Sequence, residues 1–266
     1  MIRRGLLLLA IALVGLYVAA AVLLVVFQRS LVFPGNTEAF DPPRTDSIYT
    51  ARTIAEADGT TLLVWQAPPS RAGAPTIVYF YGNGGNLTHF AAAGEVFHAE
   101  GYGVVLASYR GYSANPGHPS EDGLMADARA VLGAIPWRGP IVLWGQSLGS
   151  GIAARMAAEG RGQALILESP YTAVVDVAAR RFPVFPVRAL MWDRFDTLAL
   201  VEKIKMPVLI VHGTEDAVVP FDMGETLARA FGPRATFVPV PGAGHDMYLS
   251  TLEPIVMPWL KARKLV

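Results

Sequence analysis

The sequence predicts an α/β fold: a mainly parallel sheet wound on both faces by helices, with one short insertion. Three observations carry this reading. Continuous apolar runs of strand length recur at residues 76–81, 103–109, 141–144, 164–168 and 208–212. Runs apolar throughout belong to strands covered on both faces. Segments of helical composition separate them, and one run ends in Gly145-Gln146-Ser147-Leu148-Gly149 and passes straight into an Ala-rich segment. With 266 residues and 52% hydrophobic content, the chain can bury a sizeable core as one domain.

The chain opens on an apolar segment. Residues 5–27 carry no charge and lie between Met1-Ile2-Arg3-Arg4 and Gln28-Arg29. As a helix rising about 1.5 Å per residue they reach roughly 34 Å, enough to cross a hydrocarbon core of about 30 Å. Residues 1–29 are therefore expected to be a single-pass transmembrane anchor. A cleaved signal peptide is the rival, because Ala19-Ala20-Ala21 suits a peptidase, but cleavage there leaves Val22-Leu23-Leu24-Val25-Val26-Phe27 exposed. Arg3 and Arg4 precede the span, against Arg29 and the more distant Arg44 after it. This asymmetry puts the N-terminus in the cytoplasm and the remainder on the outer, extracytoplasmic side. Residues 30–47, with Pro34, Gly35, Pro42 and Pro43, read as a linker, and the domain occupies 48–266.

Within the domain, strand-like runs at 48–55 and 60–67 flank Asp58-Gly59, a hairpin turn. The run at 76–81 meets Gly82-Asn83-Gly84-Gly85-Asn86, then a helical stretch to about residue 100. A strand at 103–109, a loop rich in Gly and Pro and a helix to about residue 132 lead to the strand that enters Ser147. Strands at 164–168 and 208–212 follow the serine's helix. Between them, residues 169–206 carry Pro170, Pro183 and Pro186 among Phe and Trp residues with no strand signal, and read as an inserted cap. A helix, a strand at 236–240 and a helix at 250–262 complete the chain.

Chemistry centres on the G-x-S-x-G turn. Such a turn holds a serine at a strained tip above a helix N-terminus, with glycines where strand and helix backbones pass too close for a β-carbon. A serine hydroxyl needs a base to take its proton, and that base needs a carboxylate to fix its tautomer. Val211-His212-Gly213-Thr214-Glu215-Asp216 and Pro241-Gly242-Ala243-Gly244-His245-Asp246 each end a strand in a loop, where parallel sheets place their sites. The catalytic candidates are therefore Ser147, Asp216 and His245, with Glu215 and Glu168 as alternative acids. Asp246 reads as a solvent or loop-anchoring residue, and His212 as structural.

An oxyanion needs two donors. The backbone N–H of Leu148, just after the serine, supplies one, and the glycine-rich loop supplies the other, assigned to Asn83. A phosphate-binding loop is the rival, but no Lys follows and no G-x-G-x-x-G spacing fits. In the cap, Phe182, Phe185, Met191 and Trp192, with Leu190 and Phe195, are dense enough to line an apolar acyl pocket; packing the cap onto the sheet is the rival role.

Together, Tyr81-Gly82-Asn83-Gly84-Gly85-Asn86, Tyr109-Arg110-Gly111-Tyr112, Gly145-Gln146-Ser147-Leu148-Gly149, Gly213-Thr214-Glu215-Asp216 and Gly244-His245 resemble the α/β-hydrolase-domain serine hydrolases. The similarity is greatest to the membrane-tethered branch, which includes depalmitoylase-like enzymes and uncharacterised bacterial members. The resemblance implies the α/β-hydrolase fold, esterase, thioesterase or lipase activity through a Ser-Asp-His triad, and no cofactor. The family usually has His where this chain has Tyr81, and often Asp where it has Ser108.

Composition narrows the partners. The 22 basic and 22 acidic residues balance, leaving no electrostatic footprint for nucleic acid. The absence of cysteine removes disulfides, thiolate nucleophiles and cysteine-based metal sites. The expected function is hydrolysis of small-molecule or lipid-like acyl esters or thioesters at a membrane. A peptidase or amidase on the same triad, and a non-catalytic binding module with this fold, are the alternatives.

Overall fold

A computed structural model describes residues 2–35 and 42–265. Its sheet has eight strands in the order β1-β2-β4-β3-β5-β6-β7-β8. The hairpin β1 (Thr50–Ala55) and β2 (Thr61–Ala67) is antiparallel and meets β4 (Gly103–Ala107) antiparallel. From β4 onward every pairing is parallel, through β3 (Thr76–Phe80), β5 (Ile141–Gln146), β6 (Ala164–Glu168), β7 (Val208–Gly213) and β8 (Ala235–Val240). This is the α/β-hydrolase architecture expected of the sequence.

Burial explains the central strands. Every residue of β3, β4, β6 and β7 is buried, as continuous apolar runs require when helices cover both faces. The edges differ: β1 is largely exposed, and β8 carries Pro239 on the last strand, where one side needs no ladder donor. Between strands lie α2 (Ala91–Ala99), α3 (Glu121–Gly133), α4 (Leu148–Ala158) and α7 (Phe221–Phe231), and α8 (Leu249–Ala262) follows β8. At the start of α3 the Ser120 hydroxyl accepts from the Gly123 N–H at 3.1 Å, and Glu121 and Asp122 occupy the positive first turn. The Ala- and Gly-rich α4 is buried almost throughout, since small side chains let it lie close on the sheet.

The inserted segment folds as two short helices, α5 (Val174–Arg181) and α6 (Val187–Leu190), and a 3-10 turn at Leu198–Lys203. The apolar N-terminal segment is one helix, α1 (Ile2–Val32), long and apolar enough to cross a membrane. It runs past the expected anchor boundary into the expected linker. Contacts with the cap extend it: Gln28 Nε2 donates to the Leu190 carbonyl at 3.4 Å, and Gln28 Oε1 accepts from the Trp192 N–H at 2.8 Å. Arg29 pairs with Asp193 at 2.9 Å. Residues 36–41 of the expected linker lie outside the described residues.

Candidate active site

Ser147 joins β5 to α4 with φ 50° and ψ −119°, a conformation costly for any side chain. Close backbone on either side holds it there. A β-carbon on Gly145 would collide with the backbone of Gly149 and Ser150, and one on Gly149 with the Phe80 and Tyr81 carbonyls. The Ser147 N–H donates to the Glu168 carbonyl at 2.9 Å, continuing the β5–β6 ladder to the serine itself.

Loops after β7 and β8 bring the other two candidates to it. His245 Nε2 lies 2.9 Å from Ser147 Oγ, and His245 Nδ1 lies 2.8 Å from Asp216 Oδ2. Asp216 Oδ1 accepts from the Val218 and Val219 N–H groups at 2.9 and 2.8 Å. Burial alone would raise the Asp216 pKa. Hydrogen bonds from His212 and His245 and from the Val219 N–H outweigh burial and hold the carboxyl far below the usual range, ionised at neutral pH. The three residues thus form one hydrogen-bonded series, with an imidazole able to pass a proton between a hydroxyl and a leaving group.

Neither alternative acid reaches the histidine. Glu215 is exposed, and Glu168 takes the Trp144 indole N–H at 3.1 Å instead. Burial pushes Glu168 up to about 8, against the Trp144 hydrogen bond and with the charge of Asp246 adding to the rise.

Two residues have parts that the sequence did not disclose. His212, buried at the end of β7, places Nε2 3.2 Å from Asp216 Oδ2 and 3.0 Å from the Val219 carbonyl. Both neighbours only accept, so Nε2 is the protonated nitrogen. Gln146, between Gly145 and the serine, accepts from the Gly82 N–H at 3.1 Å and donates to Asp246 Oδ1 at 3.1 Å. It ties the glycine-rich loop to the histidine loop, and Asp246 is a loop anchor. No local pattern marks either role, because each contact joins residues remote in sequence or depends on the side chain's direction.

The glycine-rich loop lies against the serine: a β-carbon on Gly82 would come 3.1 Å from Ser147 Cβ. The Asn83 side chain is engaged elsewhere, donating to the Val32 carbonyl at 2.7 Å and accepting from the Tyr112 hydroxyl at 2.6 Å. The backbone N–H groups of Asn83 and Leu148 make no hydrogen bond among the described residues, which leaves both open to a ligand. The two departures from the family pattern meet each other. The Tyr81 hydroxyl is 2.8 Å from Ser108 Oγ and 3.1 Å from Ser113 Oγ, and the Tyr109 hydroxyl donates to the Tyr81 carbonyl at 3.1 Å. The loop keeps polar support without the family's His and Asp.

The expected substrate-binding residues of the cap divide. Phe182, Phe185 and Met191 line an apolar groove whose opposite wall is α1. Trp192 does not line it: it is 58% exposed, with the Arg29 guanidinium 5.8 Å from its ring centroid. Its backbone N–H is bound by Gln28, which turns residue 192 away from the groove that Met191 enters. Phe195 packs in the core, edge-on to Phe33 at 5.9 Å. Among the described residues no group of three or more His, Asp or Glu side chains could hold a metal ion.

An eight-stranded, mostly parallel sheet with a serine at this turn defines an α/β-hydrolase. Comparison with known proteins agrees. A family model described as serine aminopeptidase, S33, matches residues 73–195, and one described as TAP-like protein matches residues 191–257. The α/β hydrolase domain-containing protein WAV2 of Arabidopsis thaliana is 33% identical over 274 residues, covering 89% of this chain and 87% of its own. The lysophosphatidylserine lipase ABHD12 of Rattus norvegicus is 32% identical over 198 residues, covering 65% of this chain and 50% of its own. Among solved structures, a Pyrococcus furiosus esterase superposes with a TM-score of 0.66 at 16% identity, covering 87% of this chain and 95% of its own. The chain belongs to the α/β-hydrolase-domain family of serine hydrolases, and its N-terminal apolar helix fits the membrane-tethered members.

Proposed function

We propose that this protein hydrolyses acyl esters or thioesters through an acyl-enzyme on Ser147. The observation that carries the reading is the series Ser147 Oγ, His245, Asp216, with contacts of 2.9 and 2.8 Å. In the first half-reaction Ser147 Oγ attacks the substrate carbonyl carbon while its proton passes to His245 Nε2. Asp216 keeps the His245 proton on Nδ1, so that Nε2 can accept. The oxyanion receives the backbone N–H groups of Asn83 and Leu148, each donor worth about 2.7–4 kcal/mol in such sites. His245 then gives its proton to the leaving alcohol or thiol as the carbon–oxygen or carbon–sulfur bond breaks. Water repeats the sequence on the acyl-enzyme and releases the acid.

Ser147→Ala tests this reading. Turnover of p-nitrophenyl acetate should fall by roughly 10⁴-fold or more, with unfolding behaviour unchanged. Parental turnover in the variant would overturn it. The match to the serine aminopeptidase family model favours amides as a second substrate class, so acyl p-nitroanilides belong in the same panel. Faster turnover of the anilides than of matched esters would reverse the order of the two readings.

The same proposal makes α1 an uncleaved anchor with the hydrolase domain, residues 48–266, on the extracytoplasmic side. Its support is the charge-free length of residues 5–27, the pairing of Arg29 with Asp193 of the cap, and, for the side, Arg3 and Arg4 before the span against Arg29 and the more distant Arg44 after it. Mass spectrometry of the membrane fraction should recover the intact N-terminal peptide. A soluble form beginning near Val22 would contradict it.

A further inference from the structure

Cap and α1 are built as two walls of one groove. Ala21, Leu24, Val25, Gln28, Leu31 and Val32 line it from α1, a spacing of threes and fours that keeps one helix face turned to the cap. Phe182, Phe185 and Met191 face them. Gln28, the polar residue on that stripe, is buried and spends its side chain on the Val25, Leu190 and Trp192 backbones, so its polar atoms are satisfied away from the groove. What remains for an occupant is apolar.

The groove runs from the apolar middle of α1 to Val32, beside the glycine-rich loop. Toward that middle the cap reaches far up α1: the Tyr17 hydroxyl donates to the Val184 carbonyl at 2.9 Å, and the Tyr17 and Phe185 rings stack at 5.1 Å. Tyr17 lies inside the charge-free segment 5–27, and Val184 beside it is 70% exposed. If α1 spans a bilayer, the tip of the cap, Phe182 to Pro186, sits within the hydrocarbon. At the other end is Val32, whose carbonyl takes the Asn83 side chain at 2.7 Å. Asn83 follows Gly82, the residue packed against Ser147. From Ala21 to Val32 the groove follows α1 for roughly 17 Å at about 1.5 Å per residue.

We infer that this groove receives the acyl chain of a membrane-resident ester, which enters sideways from the bilayer with α1 as one wall of its binding site. The inference rests on the acyl-ester reading above. It makes the N-terminal helix part of substrate recognition as well as a tether. The occupant follows from three features: the described residues lining the groove present apolar surface, those from α1 follow one helix face from Ala21 to Val32, and that helix is long and apolar enough to cross a membrane. A carbonyl at Ser147 would thread its chain past Val32 and Val25 toward Ala21, so α1 would measure chain length.

Plugs at two depths test this. Full-length protein in phosphatidylcholine vesicles is assayed on p-nitrophenyl acetate, octanoate and palmitate. Leu31→Trp blocks the groove at its catalytic end and should lower octanoate and palmitate turnover by about tenfold, the equivalent of roughly two buried methylenes. Ala21→Trp blocks it farther out and should lower palmitate alone. Leu23→Trp, on the opposite face of α1 at about 100° per residue, should leave all three rates at parental values. Octanoate and palmitate rates are read as ratios to the acetate rate of the same variant, so that acetate turnover reports folding. Chain-length profiles identical in parent and both plugs, with acetate hydrolysed normally, overturn the groove assignment and leave the Ser147 reading intact. An equal effect of Leu23→Trp also overturns it, since bulk on any face of the helix would then suffice. A parent that hydrolyses none of the three esters overturns the acyl-ester reading itself.

Discussion

Asp216→Asn separates the role of the carboxylate from its shape. Four donors converge on Asp216: the Val218 and Val219 N–H groups on Oδ1, and His245 Nδ1 and His212 Nε2 on Oδ2. An asparagine brings one acceptor oxygen and one NH₂ group, so whichever way it turns, the NH₂ faces donors. With the oxygen left on the two backbone N–H groups, His245 can keep its contact only by presenting a bare Nδ1 and carrying its proton on Nε2. In the proposed mechanism that nitrogen accepts the Ser147 proton. The same change in a serine-protease triad lowers kcat by about 10⁴-fold, which corresponds to roughly 5 kcal/mol at about 1.4 kcal/mol per factor of ten. Stability should change less, because His212 Nε2 keeps the Val219 carbonyl at 3.0 Å; about 1–3 kcal/mol is the cost of the donors left facing one another. The assay is steady-state hydrolysis of p-nitrophenyl acetate by the full-length variant, with denaturant unfolding alongside. Turnover within about tenfold of the parent would refute the tautomer argument. So would a larger loss in Glu168→Gln than in Asp216→Asn.

Three further outcomes follow from the buried contacts. The Glu168 carboxyl binds its proton up to about pH 8 when folded but only to its ordinary value near 4.5 when unfolded, so stability present below the lower value is lost as pH rises through the higher one. Glu168→Gln, which keeps an acceptor for Trp144, should flatten the fall in Tm between about pH 5 and about pH 8; an unchanged slope contradicts the assignment. Gly149→Ala drives a β-carbon into the Phe80 and Tyr81 carbonyls and should abolish folded yield, whereas Gly133→Ala, with nothing within 4 Å, should not; equal yields would contradict the packing argument. Tyr81→Phe takes the Tyr81 hydroxyl from Ser113 and from Ser108, which Asn115 Nδ2 still reaches at 2.8 Å, and should cost about 1–3 kcal/mol in denaturant unfolding, while a neutral result would mean that the hydroxyl does not support the loop.

The sheet was legible because parallel strands must be apolar on both faces, and β3, β4, β6 and β7 are buried at every position. The serine turn was legible for a related reason: its glycines answer a steric demand that only a strand-to-helix crossing imposes. Loops at strand ends then supplied the histidine and the acid that lie within hydrogen-bond distance of the serine and of each other. What stayed hidden depends on contacts between distant segments. The last turn of α1 persists to Val32 because Gln28 and Arg29 bind the cap, and no helix signal at residues 28–32 encodes those partners. The pairing of Tyr81 with Ser108 is a second case, since each residue alone looks like a departure from the family pattern. Trp192 is a third. Aromatic density in the cap singled it out with Phe182 and Phe185, but one residue's turn of backbone sets it outside the groove.

The central claim is that Ser147 is the residue that becomes acylated. Full-length protein treated with a fluorophosphonate, digested and mapped by tandem mass spectrometry reads this directly. The account predicts a single phosphonyl adduct on the peptide containing Gly145-Gln146-Ser147-Leu148-Gly149, placed on Ser147, absent from Ser147→Ala and strongly slowed in His245→Ala. An adduct on another residue, or an adduct that persists at the parental rate in Ser147→Ala, would contradict it.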